Sequence, residues 1–449
     1  MADSISLNLS KLFAAAAGAN GLAEDDLGAE AAAAAFEAFE LRRTTGEVGF
    51  ADLGEREDLA AGCRETAALV RAEASDFLHL GIGGSALGPR AILRALSHPQ
   101  RNLLPPAQRD GPRIFFVENV DPESLAAIRD VIDPSKTWIN VVSKSGGTVE
   151  TIGQWLVVRQ WIEEAVGREK ARERTILTTD PEKGLLRRMA REEGMRTLEV
   201  PPNVGGRFSA LTPVGLLSAA VAGIDPSEIL KGARSMTARC ASGRVGDNPA
   251  LHLAASLHAL DVRKGRRTHV LMAYADALAD TAEWYCQLWA ESLGKRYESE
   301  GEQVFSGPTP VKAVGAVDQH SQLQLYLEGP QDKVIVFLGV RRLREELEVP
   351  SGDGLPPEIA YLGGHGIGEI LDVERRATEE ALLRNGRPSA TILLEELTPR
   401  AIGALYQFWE LTTAYAGELY GVNAYDQPAV ELGKRIAQRV LSRSGGQGT

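Results

Sequence analysis

The chain has 449 residues, more than a single hydrophobic core usually organises, so two domains of ordinary size are expected. With 44% hydrophobic and 24% charged residues it has the apolar surface of an ordered globular protein, and a formal charge of -12 opposes the many cation-to-phosphate contacts of nucleic-acid binding. No nucleic-acid partner is expected, and any anionic ligand must meet a local positive site.

The opening MADSISLNLSKLF lacks the basic stretch and apolar run of a secretory signal. Cys63, Cys240 and Cys286 lie far apart, without metal-site spacing and in an odd number that makes a poor disulfide framework, so a cytoplasmic location is expected. Residues 1–65 are rich in Ala, Leu, Glu and Arg and read as a helical lead-in. From Asp76 the pattern changes to short β-branched or aromatic runs, DFLHL, RIFFVE, TWINVV, TILTT and RTLEV, separated by helix-length segments. Strands alternating with helices predict an α/β fold with a parallel sheet, assigned to residues 66–224. LLSAAVAGI, Leu216 to Ile224, is too short to span a bilayer and reads as a buried helix, so no membrane partner is expected. THVLMAY, KVIVFLGV and ATILLEEL define a second α/β domain over residues 225–449, which closes in helices from Ala401 to Leu419 and over VELGKRIAQRVL. The final SRSGGQGT is expected to fray.

Six segments carry candidate chemistry. HLGIGGSALGP, His79 to Pro89, runs a strand through glycines into a helix start, which suits a sugar or a phosphate as well as a tight structural turn. A dinucleotide site is disfavoured, because the next strand ends at Glu118, well past the roughly 20-residue offset of a ribose-binding acid. SKSGGTVET delivers Ser143, Lys144, Ser145, Thr148 and Thr151 to a helix N-terminus, either as a phosphate cradle or as an N-cap cluster. In NVGGRFS, Arg207 follows two glycines, where a guanidinium can meet a negative oxygen or serve as a structural ion pair.

In WYCQLWAESLGKR, Gln287 and Glu291 share a helix face, and Trp284, Leu288 and Trp289 can bury the carboxylate of a general base. Lys295, four residues on, offers Glu291 the alternative of a surface ion pair. His320 follows Asp318 and Gln319 in a polar turn, where it can move protons near neutral pH. In DQPAVELGK, Gln427 and Lys434 fall seven residues apart, on one side if the helix is continuous, with Pro428 suited to its first turn.

In this order GIGGSALGP, SKSGGTVET, GGRFS, QLWAES, DQHSQ and DQPAVELGK resemble the signatures of the glucose-6-phosphate isomerase family, from about Leu78 to Lys434. The resemblance implies two sugar-isomerase domains, each a mainly parallel sheet flanked by helices, in a homodimer. It implies a sugar-phosphate substrate bound by Ser143, Lys144, Ser145, Thr148 and Thr151, with Gly84, Ser85 and Gly206 shaping the sugar site and Gln287 and Gln427 orienting the ligand. Glu291 would carry a proton from C2 to C1 through a cis-enediol, Arg207 would stabilise the enediolate, and His320 of a second subunit with Lys434 would open the ring. No metal or cofactor is expected. Ala86 stands where many members carry Asp, and the phosphate and His320 turns are those of a short bacterial-type subfamily. An isomerase of a related phosphosugar such as mannose 6-phosphate shares most of these residues. A non-catalytic sugar-phosphate sensor would lack the base, the His or the Lys, all of which are present.

Overall fold

The computed structural model describes residues 5–352 and 354–444. In chain order the first half carries β1 (Ile5–Asn8), β2 (Asp76–Leu80), β3 (Arg113–Val117), β4 (Thr137–Val142), β5 (Thr175–Thr179) and β6 (Arg196–Glu199). The second half carries β7 (Thr268–Tyr274), β8 (Lys295–Tyr297), β9 (Gln303–Ser306), β10 (Thr309–Val314), β11 (Lys333–Arg342) and β12 (Ser389–Glu396). Every strand anticipated from the sequence is present.

The first sheet is wholly parallel in the order β3-β2-β4-β5-β6. Its inner strands β2, β4 and β5 are buried along their whole length, as continuous apolar or β-branched runs between two helical layers should be. The second sheet runs β1-β12-β11-β7-β10, parallel except for β1, which pairs antiparallel with β12 from Ile5 opposite Leu394. The lead-in expected to be helical therefore opens with a strand that completes the far sheet, before its helices Ala29–Thr44 and Glu57–Glu73. A short antiparallel hairpin joins β8 and β9.

Two helices are buried all round. Pro213–Val221, inside the segment read as a buried helix, starts on the Thr212 hydroxyl, which accepts from the Val214 N–H at 3.3 Å, and all nine of its residues are buried. Pro399–Leu419 starts the same way on Thr398, and every residue from Ala401 to Gly417 is buried against the helices Pro226–Arg239, Pro249–Lys264 and Ala279–Leu293. The last helix, Val430–Ser444, contains Ser442 to Ser444 of the segment expected to fray, whose remainder, residues 445–449, lies outside the described residues. Among the described residues no helix is long and apolar enough to cross a membrane.

Among the parallel strands of each sheet the chain starts at an inner strand, adds one neighbour, then crosses to the other side: β2, β3, then β4, and β7, β10, then β11. Such a reversal leaves a crevice at the carboxyl ends of the strands on either side of it. From the first crevice leave the glycine-rich turn after Leu80 and the hydroxyl-rich loop after Val142, and the carboxyl end of β7 leads into the helix Ala279–Leu293.

His79 in β2 braces the glycine-rich turn from below. Its Nε2 lies 2.6 Å from the carbonyl oxygen of Ser85 and its Nδ1 2.8 Å from the hydroxyl of Ser218. A carbonyl only accepts, so Nε2 carries the proton and Nδ1 accepts from Ser218. Burial pulls the pKa of this imidazole down to about 4 from 6.5. As pH falls from 6.5 toward 4, the unfolded chain takes up a proton that the folded chain refuses, so stability is lost over that window. Between about pH 7.5 and about pH 5 the wild type is expected to lose about 2 kcal/mol more unfolding free energy in urea than His79→Gln does. Equal losses in the two proteins would remove His79 as a neutral brace.

Candidate active site

Glu291 lies in the last turn of the helix Ala279–Leu293 and faces a cleft of about 960 Å³ bordered by Arg42, Lys295, Arg296, Asp426 and Gln427. One carboxylate oxygen accepts from Gln287 Nε2 at 3.0 Å, one helical turn earlier, and the other stands 3.6 Å from Arg207 Nη1. The aromatic residues of this helix are placed differently from the sequence expectation. Trp284 stacks on Tyr406 and Trp289 lies against His269, so with Leu288 they pack into the core, while 36% of the Glu291 side chain is exposed at the cleft.

Arg207 is 2% exposed in the 3-10 turn Gly206–Phe208. Its Nε donates to Ser292 Oγ at 2.7 Å, Nη1 to Gln427 Oε1 at 2.7 Å, and Nη2 to the carbonyls of Ala424 and of Asp426, the latter at 3.0 Å. Burial draws the guanidinium pKa below its usual range, and Glu291 and Asp426 oppose that. Four of the five guanidinium N–H groups are thus committed to protein acceptors, and the fifth is on Nη1, the nitrogen nearest Glu291. The glycine-rich turn closes the other wall. A Cβ on Gly83 would lie 2.9 Å from Gln287 Nε2, and one on Gly84 would lie 2.3 Å from the carbonyl oxygen of Gly206, so only glycine lets the turns meet. Ser85 is half-buried beside them.

The hydroxyl-rich loop divides into a support and a rim. Ser143 is buried, its hydroxyl accepting from the Gly146 N–H at 3.1 Å and lying 2.8 Å from that of Thr148. Thr148 occupies the N-cap position of the helix Val149–Val166, yet its hydroxyl does not cap the helix, which removes the N-cap reading of the cluster. Ser145 is exposed and Thr148 half-buried at the rim, with Gly146 at φ +69° turning the chain between them. Thr151 is fully buried with its hydroxyl outside any protein hydrogen bond. The Lys144 ammonium, expected on a ligand, instead donates to the carbonyls of Pro202 at 2.7 Å and Val204 at 2.8 Å, strapping this loop to the segment leading into Gly206 and Arg207.

Two candidate residues are carried by other elements. His320 is exposed just after the turn Val317–Gln319, beyond the edge strand β10, and Lys434 is exposed on the helix Val430–Ser444. That helix begins at Val430, two residues beyond Pro428, so Gln427 precedes it and lies beside Arg207. Two residues of the site were not singled out from sequence for the role they have. Ser292 anchors Arg207, with no sequence signal beyond its place next to Glu291. Lys295, weighed as a surface partner of the Glu291 carboxylate, is 8% exposed and donates to the backbone carbonyl of Glu291. Burial and the neighbouring Arg207 lower its pKa to about 8. No group of three or more His, Cys, Asp or Glu among the described residues is arranged to hold a metal ion.

A profile of the phosphoglucose isomerase family matches residues 58–351 and 367–447. The glucose-6-phosphate isomerase of Rubrobacter xylanophilus is 52% identical over 394 residues, 87% of this chain and 88% of that one. The enzyme of the same name from Thermus thermophilus is 39% identical over 367 residues, 82% of this chain and 84% of its own. Among solved structures, a Thermus thermophilus protein described as hypothetical superposes with a TM-score of 0.85 at 35% identity, covering 97% of this chain and 99% of that one. A glucose-6-phosphate isomerase from Chlamydia trachomatis superposes with a TM-score of 0.76 at 25% identity, covering 87% of this chain and 74% of that one. Motifs, sheet order and sequence likeness over most of its length agree: the chain belongs to the phosphoglucose isomerase family.

Proposed function

We propose that this cleft interconverts glucose 6-phosphate and fructose 6-phosphate by opening the sugar ring and moving one proton between C2 and C1 through a cis-enediol. The observation that carries the reading is the Glu291 carboxylate held between Gln287 at 3.0 Å and the buried Arg207 at 3.6 Å. The relatives that match most of the chain bear the name of this activity.

A closed sugar ring has no carbonyl to acidify its C2 proton, so ring opening comes first. In the open chain the C1 carbonyl makes that proton removable, and a carboxylate can take it from C2 and return it to C1. Negative charge then develops on the enediolate oxygens, where the uncommitted N–H of Arg207 Nη1, 3.6 Å from the Glu291 carboxylate, can donate. Gln287 and Gln427 orient the substrate, with Gly84, Ser85 and Gly206 shaping the sugar wall. The phosphate sits on Ser145, Thr148 and the opening N–H groups of the helix Val149–Val166, with Ser143 and Thr151 beneath and Lys144 adding charge from its strap.

Lys434 and His320 handle ring opening in this reading, His320 being lent by a second copy of the chain in a homodimer. Supporting that, the His320 ring is exposed and makes no hydrogen bond among the described residues. The same reading places the protein in the cytoplasm, without metal or cofactor, and divides it into a lead-in to residue 65 and two sugar-isomerase domains meeting near residue 225.

In heavy water the purified protein is expected to isomerise glucose 6-phosphate with partial deuterium uptake at C1 of the fructose 6-phosphate formed, and Glu291→Gln to turn over about a thousandfold more slowly while still binding the sugar phosphate. Wild-type turnover in a folded Glu291→Gln protein would remove the carboxylate as base. Ser145→Ala and Thr148→Ala are each expected to raise KM by about tenfold with kcat within about twofold, the signature of binding energy shared by ground and transition states. A fall in kcat at constant KM would place the phosphate elsewhere.

A further inference from the structure

The helix Ala279–Leu293 ends at Gly294, and Lys295 opens β8. A lysine just past a helix C-terminus commonly satisfies one of the last carbonyls and does no more. Lys295 makes that bond, 2.6 Å from Nζ to the carbonyl oxygen of Glu291, but it also donates at 2.7 Å to the carbonyl of Asp426, whose side-chain Oδ1 stands at 3.6 Å. The Asp426 carbonyl accepts from Arg207 Nη2 as well, so an ammonium and a guanidinium converge on one peptide oxygen. The segment from Val422 to Pro428 has no helix or strand of its own. From Ala424 to Gln427 it is held by Arg207, through the Ala424 and Asp426 carbonyls and Gln427 Oε1, and by Lys295.

We propose that Lys295 is a positioning residue for the isomerase reaction: by tying the Glu291 carbonyl to the Asp426 carbonyl it fixes the base relative to the segment that holds Arg207 and Gln427. The inference rests on the reading of Glu291 as the base. Without the ammonium, Arg207 Nη2 is left as the one cationic donor to the Asp426 carbonyl, and the direct tie between the Glu291 backbone and that carbonyl is gone. Misplacing a reacting group by about 1 Å costs on the order of a hundredfold in rate, whereas the phosphate loop, built on other strands, is untouched. The loss therefore falls on the proton transfer and not on substrate binding.

The test compares the full-length wild type with Lys295→Met and Lys295→Arg, measuring kcat, KM and the isotope effect on kcat with glucose 6-phosphate deuterated at C2. Lys295→Met is expected to lower kcat by about thirtyfold or more with KM within about twofold, and to raise the isotope effect as proton transfer becomes more rate-limiting. A smaller active fraction would lower kcat but leave the isotope effect where it was. Lys295→Arg, which keeps the charge and can donate to both carbonyls, is expected to recover at least about tenfold of the lost kcat. An unchanged kcat, an unchanged isotope effect, a loss confined to KM, or no recovery with Arg each overturns the proposal. Should Lys295→Met not fold, Lys295→Gln is measured against the same expectations. Glu291→Gln run in parallel separates the two readings. An inactive Glu291→Gln beside a normal Lys295→Met refutes the positioning role alone, and an active Glu291→Gln refutes the base and with it this inference.

Discussion

The arrangement of the site depends on one buried cation. A guanidinium removed from water is tolerated only where its N–H groups find acceptors, because an uncompensated buried charge costs several kcal/mol. For Arg207 those acceptors come from places far apart in the chain: Ser292 beside the candidate base, and Ala424, Asp426 and Gln427 near the C-terminus. Meeting them brings the 3-10 turn, the end of the base helix and the 424–427 segment into one cluster. The aromatic support behind it is also long-range, with Arg207 over the Phe208 ring at 5.5 Å and Phe208 stacked at 4.7 Å on Phe50 from the N-terminal lead-in.

Sheet topology then decides what can reach that cation. The reversal between β2 and β4 puts the glycine-rich turn and the hydroxyl-rich loop side by side, although 62 residues separate Gly81 from Ser143. In the second sheet, β7 sends the helix that follows it back over the glycine-rich turn, where Gln287 meets Gly83. The two turns touch through bare backbone at Gly84 and Gly206, a contact any side chain would hold apart. A ligand lying over that contact would therefore meet peptide groups on one wall and the Gln287–Glu291 face on the other.

Much of this was legible in the sequence where local pattern and tertiary role coincide. DFLHL, TWINVV and TILTT read as strands because short, largely apolar or β-branched runs suit a sheet buried on both faces, and the glycines and hydroxyls were conspicuous at strand ends. What stayed illegible was long-range. Ile5–Asn8 becomes a strand only by pairing with residues nearly 390 positions away, and β10 opens with Thr-Pro and carries Lys312 on a sheet edge. Lys295 was misleading because the four-residue rule describes an isolated helix. Beyond Gly294 the chain has left the helix, and the amine turns toward carbonyls, one of them 131 residues away. Lys144 was misleading in the same way, since a lysine in a phosphate-like loop suggests a ligand and the acceptors it has are Pro202 and Val204.

These cations also show how a chain with a formal charge of -12 can present an anion site. Lys144, Arg207 and Lys295 are each bonded to backbone carbonyls, and burial lowers the pKa of all three. Their charge is thus fixed in place before any substrate arrives, and little side-chain entropy remains to be lost when it does. A flexible surface lysine could offer a stronger direct contact, but it would have to reorganise as negative charge develops on an enediolate beside the phosphate already bound. Cations held by carbonyls act through their field, while the hydroxyls, the helix N–H groups and the one uncommitted Arg207 proton supply direct contact. That division explains why the ammonium groups of Lys144 and Lys295 can serve as struts within the same cleft that must attract a negatively charged sugar.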